Sequence, residues 1–220
     1  MPEGRAIAVA EAFLGCLDRA QAEPEPFPHW LLRDMLPAAT CAAIDALPVT
    51  PPAIGDTLGR RETHNSSRLF FSVEQRARHP VCDHIAQALQ HSDVVHRLEG
   101  LCDVRLAGGS LRIEYCLDID GFWLEPHTDI GAKLFTMLIY LSDEPGCEAW
   151  GTDLYDSEQK WVGRSPYERN GGLIFIPGPQ TWHGVEPRPI QGVRRSLIVN
   201  YVRPEWRSRH ELAFPDQPVT

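Results

Sequence analysis

From about residue 101 onward the chain is a succession of short apolar runs, at 103–106, 110–117, 133–142, 150–155, 172–176 and 193–202, separated by clusters of Gly, Pro and Asp. Runs of this length with turn residues at both ends are strand signals. A parallel sheet would need crossover connections of about a dozen residues or more, usually helical, between consecutive strands. No helical pattern lies between these runs. The spacing therefore predicts antiparallel pairing, as a sandwich or a jelly roll, and disfavours a doubly wound α/β sheet.

The first hundred residues have a different character. Ile7, Val9, Phe13, Leu14 and Leu17 recur at three- and four-residue spacings and predict an amphipathic helix over 5–20, ended by Glu-Pro-Glu-Pro-Phe-Pro at 23–28. Pro37 suits the start of a second helix over about 38–46, which Pro48, Pro51 and Pro52 close. Val81, Ile85, Leu89, Val94, Val95 and Leu98 give a third over 80–98, with a break near Ser92. Residues 53–68 are polar and turn-rich and read as a long loop, the kind of segment that often carries function. The whole is expected to form one domain over 1–220: helical support and loop in 1–100, the β core in 101–205 and a tail in 206–220.

With 21 Lys and Arg against 30 Asp and Glu, the net charge is -9, which repels phosphate backbones and anionic membrane surfaces. Nucleic acid and membrane are accordingly not expected as partners. The opening residues show no charged and apolar signal-peptide pattern, and no run of about 18 apolar residues occurs, so a cytoplasmic location is expected. The six cysteines include no C-x-x-C pair and read as reduced, mostly buried thiols.

Three residues in the β half carry metal-ligand chemistry. In the run Glu125-Pro126-His127-Thr128-Asp129, alternate side chains of an extended segment share a face, so His127 and Asp129 can converge while Thr128 points away. His183 follows 56 residues later, just after a turn that ends an apolar strand. Two histidines and one carboxylate form the facial triad that leaves positions open for oxygen chemistry at iron(II). Such a site also needs an anchor for a second anionic ligand. Eleven residues beyond His183, Arg194 and Ser196 share one strand face with Ile198 and Asn200, while Arg195 faces the other way. A guanidinium two residues from a hydroxyl can clamp a carboxylate, and strand parity with Ser196 favours Arg194 over its neighbour Arg195.

At this point the sequence resembles the iron(II)- and 2-oxoglutarate-dependent dioxygenase superfamily, and within it the prolyl-hydroxylase-like branch. The matching elements over about 100–205 are Tyr115, Pro126-His127-Thr128-Asp129, Ile139-Tyr140-Leu141-Ser142, Gly151-Thr152, Gly171-Gly172-Leu173-Ile174-Phe175, His183-Gly184-Val185 and Gly192-Val193-Arg194-Arg195-Ser196. The resemblance implies a mainly β protein with flanking α: a double-stranded β-helix, or jelly roll, with N-terminal helices packed on one sheet. It implies His127, Asp129 and His183 as iron ligands and Arg194 with Ser196 as holders of the distal carboxylate of 2-oxoglutarate. It further implies Tyr115 and Tyr140 as hydrogen-bonding contacts to that co-substrate, dioxygen as a reactant and ascorbate as a candidate reductant. The carboxylate of Asp129, where a halogenating site needs a vacancy for halide, favours hydroxylation or a related oxidation.

The primary substrate is expected to be a small molecule or an aminoacyl residue of a peptide. Arg112, Trp123, Trp150 and the segment His64-Asn65-Ser66-Ser67-Arg68 are candidate contacts, and the tail from Trp206 to Pro215 is a candidate cover for the site or a homodimer contact. Two competing readings are a zinc-dependent hydrolase, which would have no use for Arg194, and a non-catalytic jelly-roll binding module.

Overall fold

A computed structural model describes residues 2–51, 58–60 and 68–220, with side chains from Gly4 onward. In chain order the elements are α1 (Pro2–Leu17), β1 (Gln21–Glu23), β2 (His29–Leu32), α2 (Ala38–Asp45), β3 (Arg68–Phe70), α3 (Val73–Arg78), α4 (Pro80–Gln90) and α5 (Ser92–Cys102). There follow β4 (Ser110–Asp118), β5 (Leu124–His127), β6 (Lys133–Tyr140), β7 (Asp153–Tyr155), β8 (Trp161–Arg164), β9 (Gly172–Phe175), β10 (His183–Val185) and β11 (Arg194–Val202). A seven-stranded sheet has the order β1-β2-β9-β6-β11-β4-β3 and a four-stranded sheet the order β5-β10-β7-β8. Every strand pair is antiparallel, as the absence of helical crossovers requires.

Strand alternation divides the large sheet into two apolar faces. Leu111 and Ile113 of β4, Met137 and Ile139 of β6 and Val199 and Tyr201 of β11 pack with Phe13 and Leu17 of α1, Ile85 and Leu89 of α4 and Val95 and Leu98 of α5. The Tyr201 hydroxyl ties the layers by donating to the Leu89 carbonyl at 2.5 Å. On the other face Cys116, Leu138, Tyr140, Leu173 and Ile198 pack against Leu124, Leu154 and Val185 of the small sheet. The order is helices, large sheet, small sheet, so the expected packing of N-terminal helices on one sheet is borne out. Among the described residues no helix is long and apolar enough to cross a membrane.

Several local expectations are corrected. Residues 103–106 do not form a strand, because Asp103 takes a left-handed conformation (φ 49°) that ends α5, and the Glu99 carboxylate accepts the Leu106 and Ala107 amides. The run 150–155 is a strand only over Asp153–Tyr155, with Trp150 closing a 3-10 turn. The break expected near Ser92 is real and separates α4 from α5 at His91. Strands β1, β2, β3, β5 and β8 and helix α3, three to six residues each, are too short for a period to show. The 53–68 loop lies outside the described residues except for 58–60 and Arg68. Its Gly59 carbonyl accepts the Glu125 amide, and a Cβ at this glycine (φ 69°) would overlap the Trp123 ring.

Candidate metal centre

His127 ends β5 and His183 begins β10, and the register of this antiparallel pair sets the two residues directly opposite each other. Their ring centroids are 4.4 Å apart. Asp129 lies two residues beyond β5, where the backbone has left the ladder and its carboxylate can turn toward the two rings. One potential ligand atom from each of the three lies within 4.8 Å of the others. Both imidazoles are oriented from behind: Nδ1 of His127 meets the Glu125 carbonyl at 2.8 Å, and Nδ1 of His183 meets the Thr181 carbonyl at 2.9 Å. A neutral ring that donates from Nδ1 keeps its Nε2 lone pair for a metal. Burial holds the His183 pKa down to about 4, with the nearby His127 adding to the effect against the opposing pull of Asp129, so the ring is neutral at ordinary pH.

Asp129 is held at both oxygens. Lys133 donates to Oδ1 at 2.5 Å and the Thr136 hydroxyl to Oδ2 at 2.6 Å. Burial by itself would raise the pKa of this carboxyl, but the Lys133 charge, with His183 and the two hydrogen bonds, brings it to about 2. Thr136 in turn accepts from Nδ2 of Asn200 at 2.9 Å, and Oδ1 of Asn200 accepts from Arg112 at 3.2 Å. These supports were missed in the sequence. Parity on β6 and β11 is the signal that could have found them, since Thr136 and Asn200 are register partners on the cavity face.

The triad opens on a cavity of about 520 Å³, which Arg194, Ile198, Leu138, Thr152 and Arg112 also line. Arg194 and Ser196 share the cavity face of β11 as expected. Arg194 is 1% exposed; its Nε donates to the Trp150 carbonyl at 2.7 Å and its Nη1 to Asp118 at 2.7 Å. Ser196 is fully buried, and its Oγ has no hydrogen-bond partner. Arg195 points to the opposite face, where it pairs with Glu144 at 2.5 Å. Tyr140 lies on the cavity side but is fully buried, its hydroxyl 2.9 Å from Thr152 Oγ1 and 2.6 Å from Ser165 Oγ. It reaches the cavity only through Thr152. Tyr115 is not brought to the site: β4 alternation sets it on the helix face with Leu111, Ile113 and Leu117, and burial there pushes its phenol up to about 12.

At the other end of the cavity Arg112 is 4% exposed and donates to Glu114 at 2.8 Å and to Glu211 at 2.6 Å, with its guanidinium over the rings of Phe70 and Trp206. It is a buried ionic hub that fixes the C-terminal segment against β4. Trp206, from that segment, lines the cavity. Trp150 is core, Trp123 packs by Gly59, and of 64–68 only Arg68 is described, ion-paired to Glu114 at 2.8 Å.

No family model and no curated protein matches the sequence. Solved structures do match. A prolyl-4-hydroxylase from Pseudomonas putida aligns with 89% of this chain and 94% of its own, at 14% identity and a TM-score of 0.55. A prolyl hydroxylase from Trichoplax adhaerens, solved with a hypoxia inducible factor oxygen degradation domain peptide, aligns over 91% of both chains at 12% identity and a TM-score of 0.56. The chain shares their fold. A 2OG-Fe(II) oxygenase family protein from Burkholderia pseudomallei has it too, matching over 92% of this chain and 90% of its own at 14% identity and a TM-score of 0.53. On the prolyl-hydroxylase fold, this chain sets His127, Asp129 and His183 in one cavity with Arg194.

Proposed function

We propose that this protein is an iron(II)- and 2-oxoglutarate-dependent oxygenase built on a double-stranded β-helix. In this reading it hydroxylates an unactivated C–H bond of a small molecule or an aminoacyl residue, consuming dioxygen and 2-oxoglutarate and releasing succinate and CO2. The observation that carries this reading is the triad: two imidazoles with Nδ1 bound from behind and one ionised carboxylate, all with donor atoms within 4.8 Å. This donor set suits iron(II) with open positions. The co-substrate also fits, because Ser196 leaves a buried hydroxyl without a partner beside Arg194, the cation that a distal carboxylate needs. The peptide bound to the Trichoplax adhaerens enzyme of the same fold supports an aminoacyl substrate as one of the two options.

Bound iron(II) would supply the position at which dioxygen is activated and 2-oxoglutarate decarboxylated. The chain's own residues do the rest. Thr136 and Lys133 fix the Asp129 carboxylate, and the backbone carbonyls of Glu125 and Thr181 fix the imidazoles. Phe175, whose ring lies 4.7 Å from that of His183, shields that side from water. Arg194 and Ser196 hold the far carboxylate, and the Arg112 end remains for the substrate.

The test is anaerobic loading with iron(II) and 2-oxoglutarate, observation of a metal-to-ligand charge-transfer band, and a succinate assay after oxygen is admitted. The reading expects band and succinate in the wild type and neither in His127→Ala. Arg194→Ala should need far more 2-oxoglutarate for the same band. A wild type that binds neither iron nor 2-oxoglutarate would leave the zinc hydrolase or the binding module standing.

A further inference from the structure

Arg194 and Asp118 are register partners across the β11–β4 ladder, on the cavity side of the sheet. The pair is buried as deeply as any among the described residues, with side chains 1% and 0% exposed and Nη1 2.7 Å from Oδ2. With Nε on the Trp150 carbonyl, the guanidinium is held on two sides, and Nη2 makes no hydrogen bond with any described residue. Arg194 thus meets the cavity with one amino group while the Asp118 carboxylate already pairs with the same guanidinium. The other cation close by, Arg188, is turned away from this amino group: it is engaged by Asp153, which it shares with Arg164, and by the carbonyls of Ala149 and Gly151. Burial and the neighbouring Arg194 lower its pKa to about 10, which leaves it charged.

An anchor arrangement of this kind has two consequences. The ion pair orients the guanidinium before any ligand arrives, which lowers the ordering cost of binding. The same carboxylate repels an incoming one through a low-dielectric interior, where a unit charge a few ångströms away matters most. We propose that Asp118 is a positioning residue for Arg194 that also weakens the grip on the distal carboxylate of 2-oxoglutarate, so that turnover tracks co-substrate concentration instead of saturating early. This rests on the oxygenase reading. It predicts that the distal carboxylate contributes little to affinity, and that Ser196, with Thr152, supplies much of what contact there is.

The experiment compares two 2-oxo acids of equal length, 2-oxoglutarate and 2-oxopentanoate, the second with a methyl in place of the distal carboxylate. Binding to the metal-loaded protein without oxygen is measured by calorimetry and by the charge-transfer band. The wild type should favour 2-oxoglutarate by less than about tenfold, well short of what an unbalanced buried guanidinium would give. Asp118→Asn keeps an oxygen acceptor for Nη1 and removes the charge. It should tighten 2-oxoglutarate by roughly ten- to a hundredfold while changing 2-oxopentanoate by less than about threefold, and lower KM for 2-oxoglutarate with kcat unchanged. Unchanged or weaker 2-oxoglutarate binding in Asp118→Asn overturns the proposal. If that variant does not fold, the wild type decides: discrimination of a hundredfold or more between the two acids refutes the idea. A wild type that binds neither acid refutes the oxygenase reading itself, which separates the two failures.

Discussion

Replacing Thr136 by Val tests whether the carboxylate of the triad is held by its surroundings or merely lies near them. The side chain is 3% exposed, donates to Asp129 at 2.6 Å and accepts from Asn200 at 2.9 Å. Valine keeps the volume, so no cavity term enters. A hydrogen bond to a charged group contributes about 1.5–3 kcal/mol. Asn200 retains the Phe135 carbonyl at 3.3 Å, so its lost partner adds only a fraction of that. The metal-free protein should therefore lose about 2–3 kcal/mol, which for a chain of this size lowers Tm by roughly 5–10 °C. Because Asp129 would then rest on Lys133 alone, metal affinity should fall by about 10- to 100-fold, the usual cost of losing an outer-shell partner. Thermal melts of chelator-treated protein and anaerobic titration with cobalt(II) or iron(II) measure the two effects separately. Thr136→Ser should recover most of both. A valine variant with Tm within about 1 °C of wild type and metal affinity within about threefold would refute the reasoning, since the hydroxyl would then be a bystander.

Ser196→Ala should raise KM for 2-oxoglutarate by about three- to tenfold, whereas Tyr115→Phe, altered on the helix face, should leave it within about twofold; steady-state kinetics distinguish them. Arg112→Met removes a cation that holds Glu114, Glu211 and Asn200, so it should cost about 3–5 kcal/mol in denaturant unfolding and loosen the C-terminal segment to proteolysis. Gly172→Ala would push a methyl into the Leu138 carbonyl and the Met35 sulfur, and urea melts should show a loss of at least roughly 1–3 kcal/mol.

What the sequence showed and hid follows from how each feature is encoded. The helices α1, α4 and α5 and the long strands β4, β6 and β11 carry enough apolar residues for their periods to show, so the core of both layers was legible. The short strands of the small sheet are only three or four residues long, and their pairing depends on partners far along the chain. No local pattern specifies that. The triad was legible because H-x-D and a later histidine after a turn are uncommon together, and parity alone separated Arg194 from Arg195. Tyr115, which the resemblance sets at the co-substrate, alternates with Glu114 and Cys116 along β4 and so belongs to the helix face. Strand parity puts Thr136 and Asn200 on the cavity face, but what they hold there, like the pairing of Asp118 with Arg194, depends on cross-strand register that the sequence does not print.

Register is also what ties the site to the stability of the fold. Strand β11 is flanked on both sides, by β4 and by β6, and its nine residues serve two layers at once. Arg194, Ser196, Ile198 and Asn200 face the cavity side, while Leu197, Val199 and Tyr201 bury against the helices. A slip of one residue would drive Arg194 into the helix interface and pull Leu197 and Val199 out of it, with the hydrophobic loss of several buried side chains at about 1.5–3 kcal/mol each. The apolar half of the strand therefore enforces the placement of its polar half. A mutation that weakens the helix interface can in this way move Arg194 without touching it, and Arg195, one position away, cannot substitute for Arg194 unless the whole strand is repacked.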